Sequence, residues 1–118
     1  MLEAACYAVR AHPRPLVVFT ESGSTAIKSS KSRPPMGIYA ITHEREVADR
    51  LALVWGVDAV YMPAIHSTDD LISAGERALI RERGVAQGTE VVVLAGRVPQ
   101  RGATNMMKVE VLDGRATL

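Results

Sequence analysis

Hydroxyl side chains gather around one glycine at residues 20–25 (TESGST), directly after an apolar run that begins at Leu16. The stretch consists of Thr20, Glu21, Ser22, Gly23, Ser24 and Thr25. A buried strand that ends here and continues as a helix directs the hydroxyls, together with the unpaired N–H groups of the first helical turn, toward one point. Such a turn can hold an anion, provided that the Glu21 carboxylate points outward.

The same residue types are common in turns and helix caps, so spacing alone leaves both a phosphate site and a simple cap open. The stretch matches neither the Walker loop GxxxxGK[ST] nor the dinucleotide fingerprint GxGxxG. Ser22 lies in ESGST rather than in GxSxG, which argues against a nucleophile elbow. His12, His43 and His66 show no metal-ligand spacing. A free-standing phosphotransferase or hydrolase is therefore the least supported function, because no base is paired with a nucleophile.

Alternating strand and helix patterns predict one α/β domain over residues 1–118. The strands are predicted at residues 16–20, 37–41, 57–62, 89–95 and 107–112. The helices are predicted at residues 1–11, from Gly23 to the Pro34-Pro35 pair, around Val47, Leu51 and Val54, and from a capping sequence at 67–70 to Gly84. Repeated strand and helix units favour parallel strands with helices on both faces, which is a three-layer α/β/α sandwich.

The last connection, residues 96–106, decides the direction of the fifth strand. It contains Pro99 and Gly102 and no helical pattern, whereas a parallel crossover usually contains a helix, so the fifth strand should run antiparallel. The first and fourth strands are the most apolar and should be central, which predicts the order 3-2-1-4-5. The fifth strand alternates Met107, Val109 and Val111 with Lys108 and Glu110, as expected for an edge strand with one wet face.

In such a sheet, ligands bind where the strand order reverses, here between the first and fourth strands. The loop after the fourth strand would therefore face the hydroxyl turn. It offers Arg97, Arg101, Gly102, Thr104 and Asn105. The crevice would then have hydroxyls and N–H groups on the side of the turn and cations on the side of the loop. Such a crevice suits a small molecule that carries phosphate.

The composition excludes several other partners. The formal net charge of +1 lacks the strong positive field that nucleic-acid binding usually requires. No apolar run approaches the length of a membrane span, and residues 1–11 lack the features of a signal peptide, so we expect a cytoplasmic protein.

One run of charges lies near the end of the fourth predicted helix and consists of Arg77, Arg81, Glu82 and Arg83. It is most simply a solvated helix face, although it could line a subunit contact.

Four motifs in the right order resemble the C-terminal domain of pyruvate kinase. They are VVFTESGSTA (17–26), SKSRPP (30–35), IYAITHEREVADRLALVWGV (38–57) and VVVLAGRVPQRGATNMMKVEV (91–111). The resemblance implies a five-stranded α/β sandwich whose last strand is antiparallel, in agreement with the order argued from the residues. It also implies a regulatory and oligomerisation domain, which in that family follows the barrel that transfers phosphate from phosphoenolpyruvate to ADP.

By the family's motif positions, Thr20, Glu21, Ser22, Gly23, Ser24 and Thr25 would wrap the phosphate of an allosteric effector, either a sugar phosphate or AMP. The loop at 96–104 would close over that effector. The resemblance places the catalytic lysine, the Mg and K sites and therefore the activity in a barrel that this chain lacks, so the chain should have no cofactor and no activity of its own. A domain that makes only subunit contacts and binds no effector is the alternative.

Overall fold

A computed structural model describes residues 2–62, 68–95 and 106–112. The strands form one sheet of order β3-β2-β1-β4-β5. They are β1 (Leu16–Phe19), β2 (Ile38–Thr42), β3 (Val57–Tyr61), β4 (Glu90–Ala95) and β5 (Met106–Val111). β1 pairs in parallel with both β2 and β4, β2 pairs in parallel with β3, and β5 runs antiparallel to β4. The predicted fold class, strand order and direction of the last strand are confirmed.

Helices cover both faces of the sheet. They are α1 (Leu2–Ala11), α2 (Ser24–Lys31), α3 (Arg45–Leu51) and α4 (Thr68–Arg83). Leu16 and Val18 of β1 enter a core cluster with residues of α1, α2 and α3, whereas Val17 enters the opposite cluster with residues of α4. The three layers follow from this alternation, because a central strand that is apolar at every position can bury both of its faces.

Glycines and a threonine set several element ends. Gly84 has a φ of 68° directly after α4, which is the left-handed conformation that ends many helices. At the start of α3, Glu44 occupies the N-cap position without a side-chain cap bond, and the Thr42 hydroxyl accepts a hydrogen bond from the Glu44 backbone N–H at 3.1 Å. The predicted capping residue Ser67 lies outside the described residues.

Helix α4 approaches the sheet unusually closely at Gly75. A Cβ atom at this position would lie 2.7 Å from Phe19 Cζ and 3.0 Å from Ile41 Cδ1. Real Cβ atoms do not come so near to other heavy atoms, so the helix can lie this close only because residue 75 has no side chain. The contact holds the ring of Phe19, the last residue of β1, immediately before the hydroxyl turn.

Strand β5 is an edge strand, as predicted, and Lys108 on its predicted wet face is exposed, but the opposite, apolar face is exposed as well. Met107, Val109 and Val111 are 37%, 49% and 53% exposed, whereas Glu110 on the other face is half-buried. The apolar side chains share the face of Val92 and Leu94, where α1 packs against β4. They lie on the outer flank of that face, so Met107, Val109 and Val111 form an exposed apolar stripe, which we call the β5 stripe.

Candidate functional site: a hydroxyl turn at the switch point of the sheet

The hydroxyl turn lies at the point where the strand order reverses. β1 and β4 are neighbours, with Val18 opposite Leu94, and the chain leaves β1 toward β2 on one side. The backbone N–H of Thr20 still donates to Ile41 O of β2 at 2.9 Å, so the turn begins where the sheet ends. This is the edge at which open α/β sheets bind their ligands.

Two of the hydroxyls organise the turn itself. Thr20 Oγ1 accepts a hydrogen bond from Gly23 N at 2.9 Å, and Ser22 Oγ accepts one from Ser24 N at 3.3 Å. An accepting hydroxyl keeps its own O–H proton, which can be donated to a ligand oxygen. The turn is therefore held in shape by its side chains and still carries hydroxyl donors.

Gly23 is buried while the serines on either side of it are exposed. It is the N-cap of α2 and has a φ of 88°, a conformation that L side chains rarely adopt. A Cβ atom here would lie 3.3 Å from both Val47 Cγ1 and Leu51 Cδ2 of α3. The glycine thus lets the turn pack against α3, and this packing leaves Ser22 and Ser24 on the outer surface.

The electrostatics of α2 favour an anion at the turn. No acidic residue lies in the first turn of the helix, while Lys28 and Lys31 lie in its last turn. The cations offset the negative end of the helix dipole, and the positive end is directed at the turn. Thr20, Glu21 and Thr25 are half-buried beside it.

The predicted partner loop falls outside the described residues. Arg97, Arg101, Gly102 and Thr104 all lie between β4 and β5, so their role stays a prediction. The two ends of this loop are described: Ala95 pairs with Met106, one residue beyond the Val18–Leu94 level. The loop therefore starts and finishes at the same edge of the sheet as the hydroxyl turn.

A second concave feature was missed by the sequence analysis. A cleft of about 410 Å³ separates the edge strand β3 from α4. It is lined by Tyr61, Met62, Ala74, Arg77, Ala78, Arg81 and Glu82. The hypothesis of a solvated helix face holds for Arg77 and Arg81, which are exposed, but Arg83 instead donates to Asp58 Oδ1 and to Ala59 O, each at 2.9 Å. Helical periodicity gave no signal for this cleft, because it depends on which strand lies beside α4.

Two further observations concern metals and membranes. Within residues 2–62, 68–95 and 106–112, no three His, Cys, Asp or Glu side chains are grouped so that they could hold a metal ion. Across the same residues, no helix is both long and apolar enough to cross a membrane.

Comparison with known families confirms the resemblance inferred from the motifs. The family model described as pyruvate kinase, alpha/beta domain, matches residues 1–110. The pyruvate kinase of Clostridium acetobutylicum is 41% identical over 101 residues, which cover 83% of this chain and 21% of that enzyme. The pyruvate kinase of Geobacillus stearothermophilus is 40% identical over 99 residues, covering 83% of this chain and 17% of that enzyme.

A solved structure agrees with the fold. The crystal structure of a pyruvate kinase from Cryptosporidium parvum superposes with a TM-score of 0.80 at 26% identity, and the match covers 95% of this chain and 22% of that one. The chain thus spans about a fifth of the length of these relatives.

Proposed function

The chain belongs to the pyruvate kinase alpha/beta domain family, and from this premise we propose that it is the regulatory and oligomerisation domain of a pyruvate kinase. The enzyme as a whole would transfer phosphate from phosphoenolpyruvate to ADP in the cytoplasm, using Mg and K in its barrel. This domain would contribute no catalytic residue. Its own role is to bind a phosphorylated effector, a sugar phosphate or AMP, at residues 20–25.

The position and chemistry of the hydroxyl turn support the proposal. The turn lies at the switch point of the sheet, at the N-terminus of α2, and the Thr20 and Ser22 hydroxyls accept backbone hydrogen bonds, which leaves each O–H proton for donation. A phosphate at this position would accept hydrogen bonds from Ser22 and Thr25 and would lie at the positive end of the helix dipole. The loop at 96–104, with Arg97 and Arg101, would supply cations from the opposite side.

Calorimetric titration with fructose bisphosphate, glucose phosphate and AMP tests the effector role. We expect one of them to bind, and we expect Ser22→Ala with Thr25→Ala to weaken binding by at least tenfold, since each hydrogen bond to a charged group contributes about 1.5–3 kcal/mol. Ser73→Ala on α4, on the opposite face of the sheet, is the matched control and should leave the affinity unchanged. If none of the three ligands binds, the effector role is wrong.

The β5 stripe favours a second role, contact between subunits. An edge strand that exposes Met107, Val109 and Val111 offers both backbone hydrogen-bonding groups and apolar surface to another chain. A second copy of this domain could pair there with its own β5. This role does not need the effector turn, so it also represents the alternative in which the turn is only a helix cap.

Sedimentation velocity tests the subunit contact. We expect the chain to self-associate and Val109→Lys to shift it toward the monomer, because a charge would be buried in the contact. Leu53→Lys is the matched control, since Leu53 is 91% exposed and lies in the turn that follows α3. If Val109→Lys and Leu53→Lys reduce self-association equally, the chain associates through general surface hydrophobicity and not through β5.

A further inference from the structure

The cleft between β3 and α4 combines an apolar floor with a cationic rim. Met62 and Ala78 are buried and Ala74 is half-buried, while Arg77 and Arg81 are exposed at the same opening. The volume of about 410 Å³ lies within the range of about 300–1,000 Å³ that is usual for small-molecule sites.

Arg77 and Arg81 are close neighbours on α4. They are one helical turn apart, so their side chains emerge on the same face and can reach one anion. Neither guanidinium has an ion pair or a hydrogen bond to another residue in the described ranges. Glu82 also lines the cleft and contributes the opposite charge at its rim, which leaves the two arginines in excess.

The backbone of β3 adds a further donor. The N–H of Met62 points inward, toward β2, and donates to Thr42 O. The carbonyl of Ala59 points outward, to the free edge of the sheet, and accepts from Arg83. Backbone groups alternate between the two edges of a strand, so the N–H of Tyr61, which lines the cleft, points outward like Ala59.

The same edge is closed to another strand. Arg83 binds Asp58 Oδ1 and Ala59 O at 2.9 Å each, so its guanidinium occupies the position where an added strand would have to pair. A peptide that extended β3 would have to displace this arginine. A compact ligand can enter the cleft beside Tyr61 without doing so.

We propose that this cleft is a second anion site, independent of the hydroxyl turn, which takes a small organic phosphate. The phosphate would accept hydrogen bonds from Arg77, Arg81 and the backbone N–H of Tyr61. Arginine suits this role because one planar guanidinium can donate two parallel hydrogen bonds to phosphate oxygens. The apolar part of the ligand would lie on Met62, Ala74 and Ala78. The apolar floor distinguishes this site from one that binds inorganic phosphate alone.

Titration of the isotopically labelled 118-residue chain with phenyl phosphate, followed by amide NMR, tests the proposal. We expect shifts at residues 61–62 and 74–82 and a dissociation constant at least threefold lower than that for inorganic phosphate. Arg77→Gln with Arg81→Gln should raise the dissociation constant for phenyl phosphate, measured from the shifts at residues 61–62 and 74–82, at least tenfold. Arg77→Lys with Arg81→Lys should recover only part of the affinity, since lysine keeps the charge and loses the planar fork.

Two controls separate this site from general charge and from the effector turn. Lys31→Gln with Arg50→Gln removes two other exposed cations and should change the affinity less than twofold. Ser22→Ala with Thr25→Ala should also leave the shifts at 61–62 and 74–82 intact, whatever it does to residues 20–25. An equal loss in the two charge-neutralised pairs, or shifts confined to residues 20–25, would overturn the second site while leaving the effector proposal standing.

Discussion

Replacing Gly75 with alanine should destabilise the domain, although alanine is the better helix former. Gly75 lies in the interior of α4, where the exchange would normally stabilise a helix by about 0.8–1.0 kcal/mol. Here, however, the new Cβ atom would lie 2.7 Å from Phe19 Cζ, 2.8 Å from Phe19 Cε1 and 3.0 Å from Ile41 Cδ1. The helix, the ring or both must therefore move.

The expected size follows from these two opposing effects. Overpacking a core usually costs about 1–3 kcal/mol, which exceeds the gain in helix propensity. We expect a net loss of about 1 kcal/mol in the free energy of unfolding, or a decrease of about 3–5 °C in Tm for a domain of this size. Phe19 directly precedes the hydroxyl turn, so the displacement should also alter the amide shifts of Thr20.

Urea unfolding of four chains measures the effect: the unaltered chain, Gly75→Ala, Phe19→Leu and the double variant. Leucine lacks the ring atoms that approach residue 75, so in the Phe19→Leu background the alanine should be neutral or stabilising. A Gly75→Ala chain as stable as the unaltered one, or the same change in both backgrounds, would show that the ring yields at no cost and that the close packing does not constrain α4.

Two other substitutions test the contacts that hold the turn and α1 in place. Gly23→Ala should lower the free energy of unfolding by about 1–2 kcal/mol, and by more than Gly88→Ala does. Gly88 shares the positive φ (90° against 88°), but a Cβ atom added there has nothing within 4 Å, so equal losses in chemical unfolding would show that the contact of residue 23 with α3 has no effect on stability. Arg14→Ala should cost about 1–3 kcal/mol and increase hydrogen exchange in α1, because Arg14 donates to Glu90 Oε1 at 2.7 Å and to Ala8 O at 3.1 Å. Glu90→Gln should lower the free energy of unfolding by less, since Glu90 is 40% exposed. A loss as large as that of Arg14→Ala would show that Arg14 stabilises the domain through its ion pair with Glu90 and not through its hydrogen bond to Ala8 O.

Much of the fold was predictable because its determinants are local. The apolar runs of β1 and β4 indicated central strands, and Pro99 and Gly102 in a short connection indicated an antiparallel last strand. From these the strand order and the switch point followed. The candidate site was predictable to the same extent, as a turn at that point, whereas its internal bonds from Thr20 and Ser22 depend on backbone geometry that composition does not specify.

By itself, the sequence determined the pattern of elements, the sheet order and the residue types of the turn, because each depends on the spacing of neighbouring residues along the chain. Only the tertiary structure decided the contacts between elements that are distant in sequence. It placed Arg83 on the free edge of β3 and Phe19 against Gly75, and it left the β5 stripe exposed beyond the helices that cover its face. Periodicity tells which side chains share a face, but only packing determines what, if anything, covers that face.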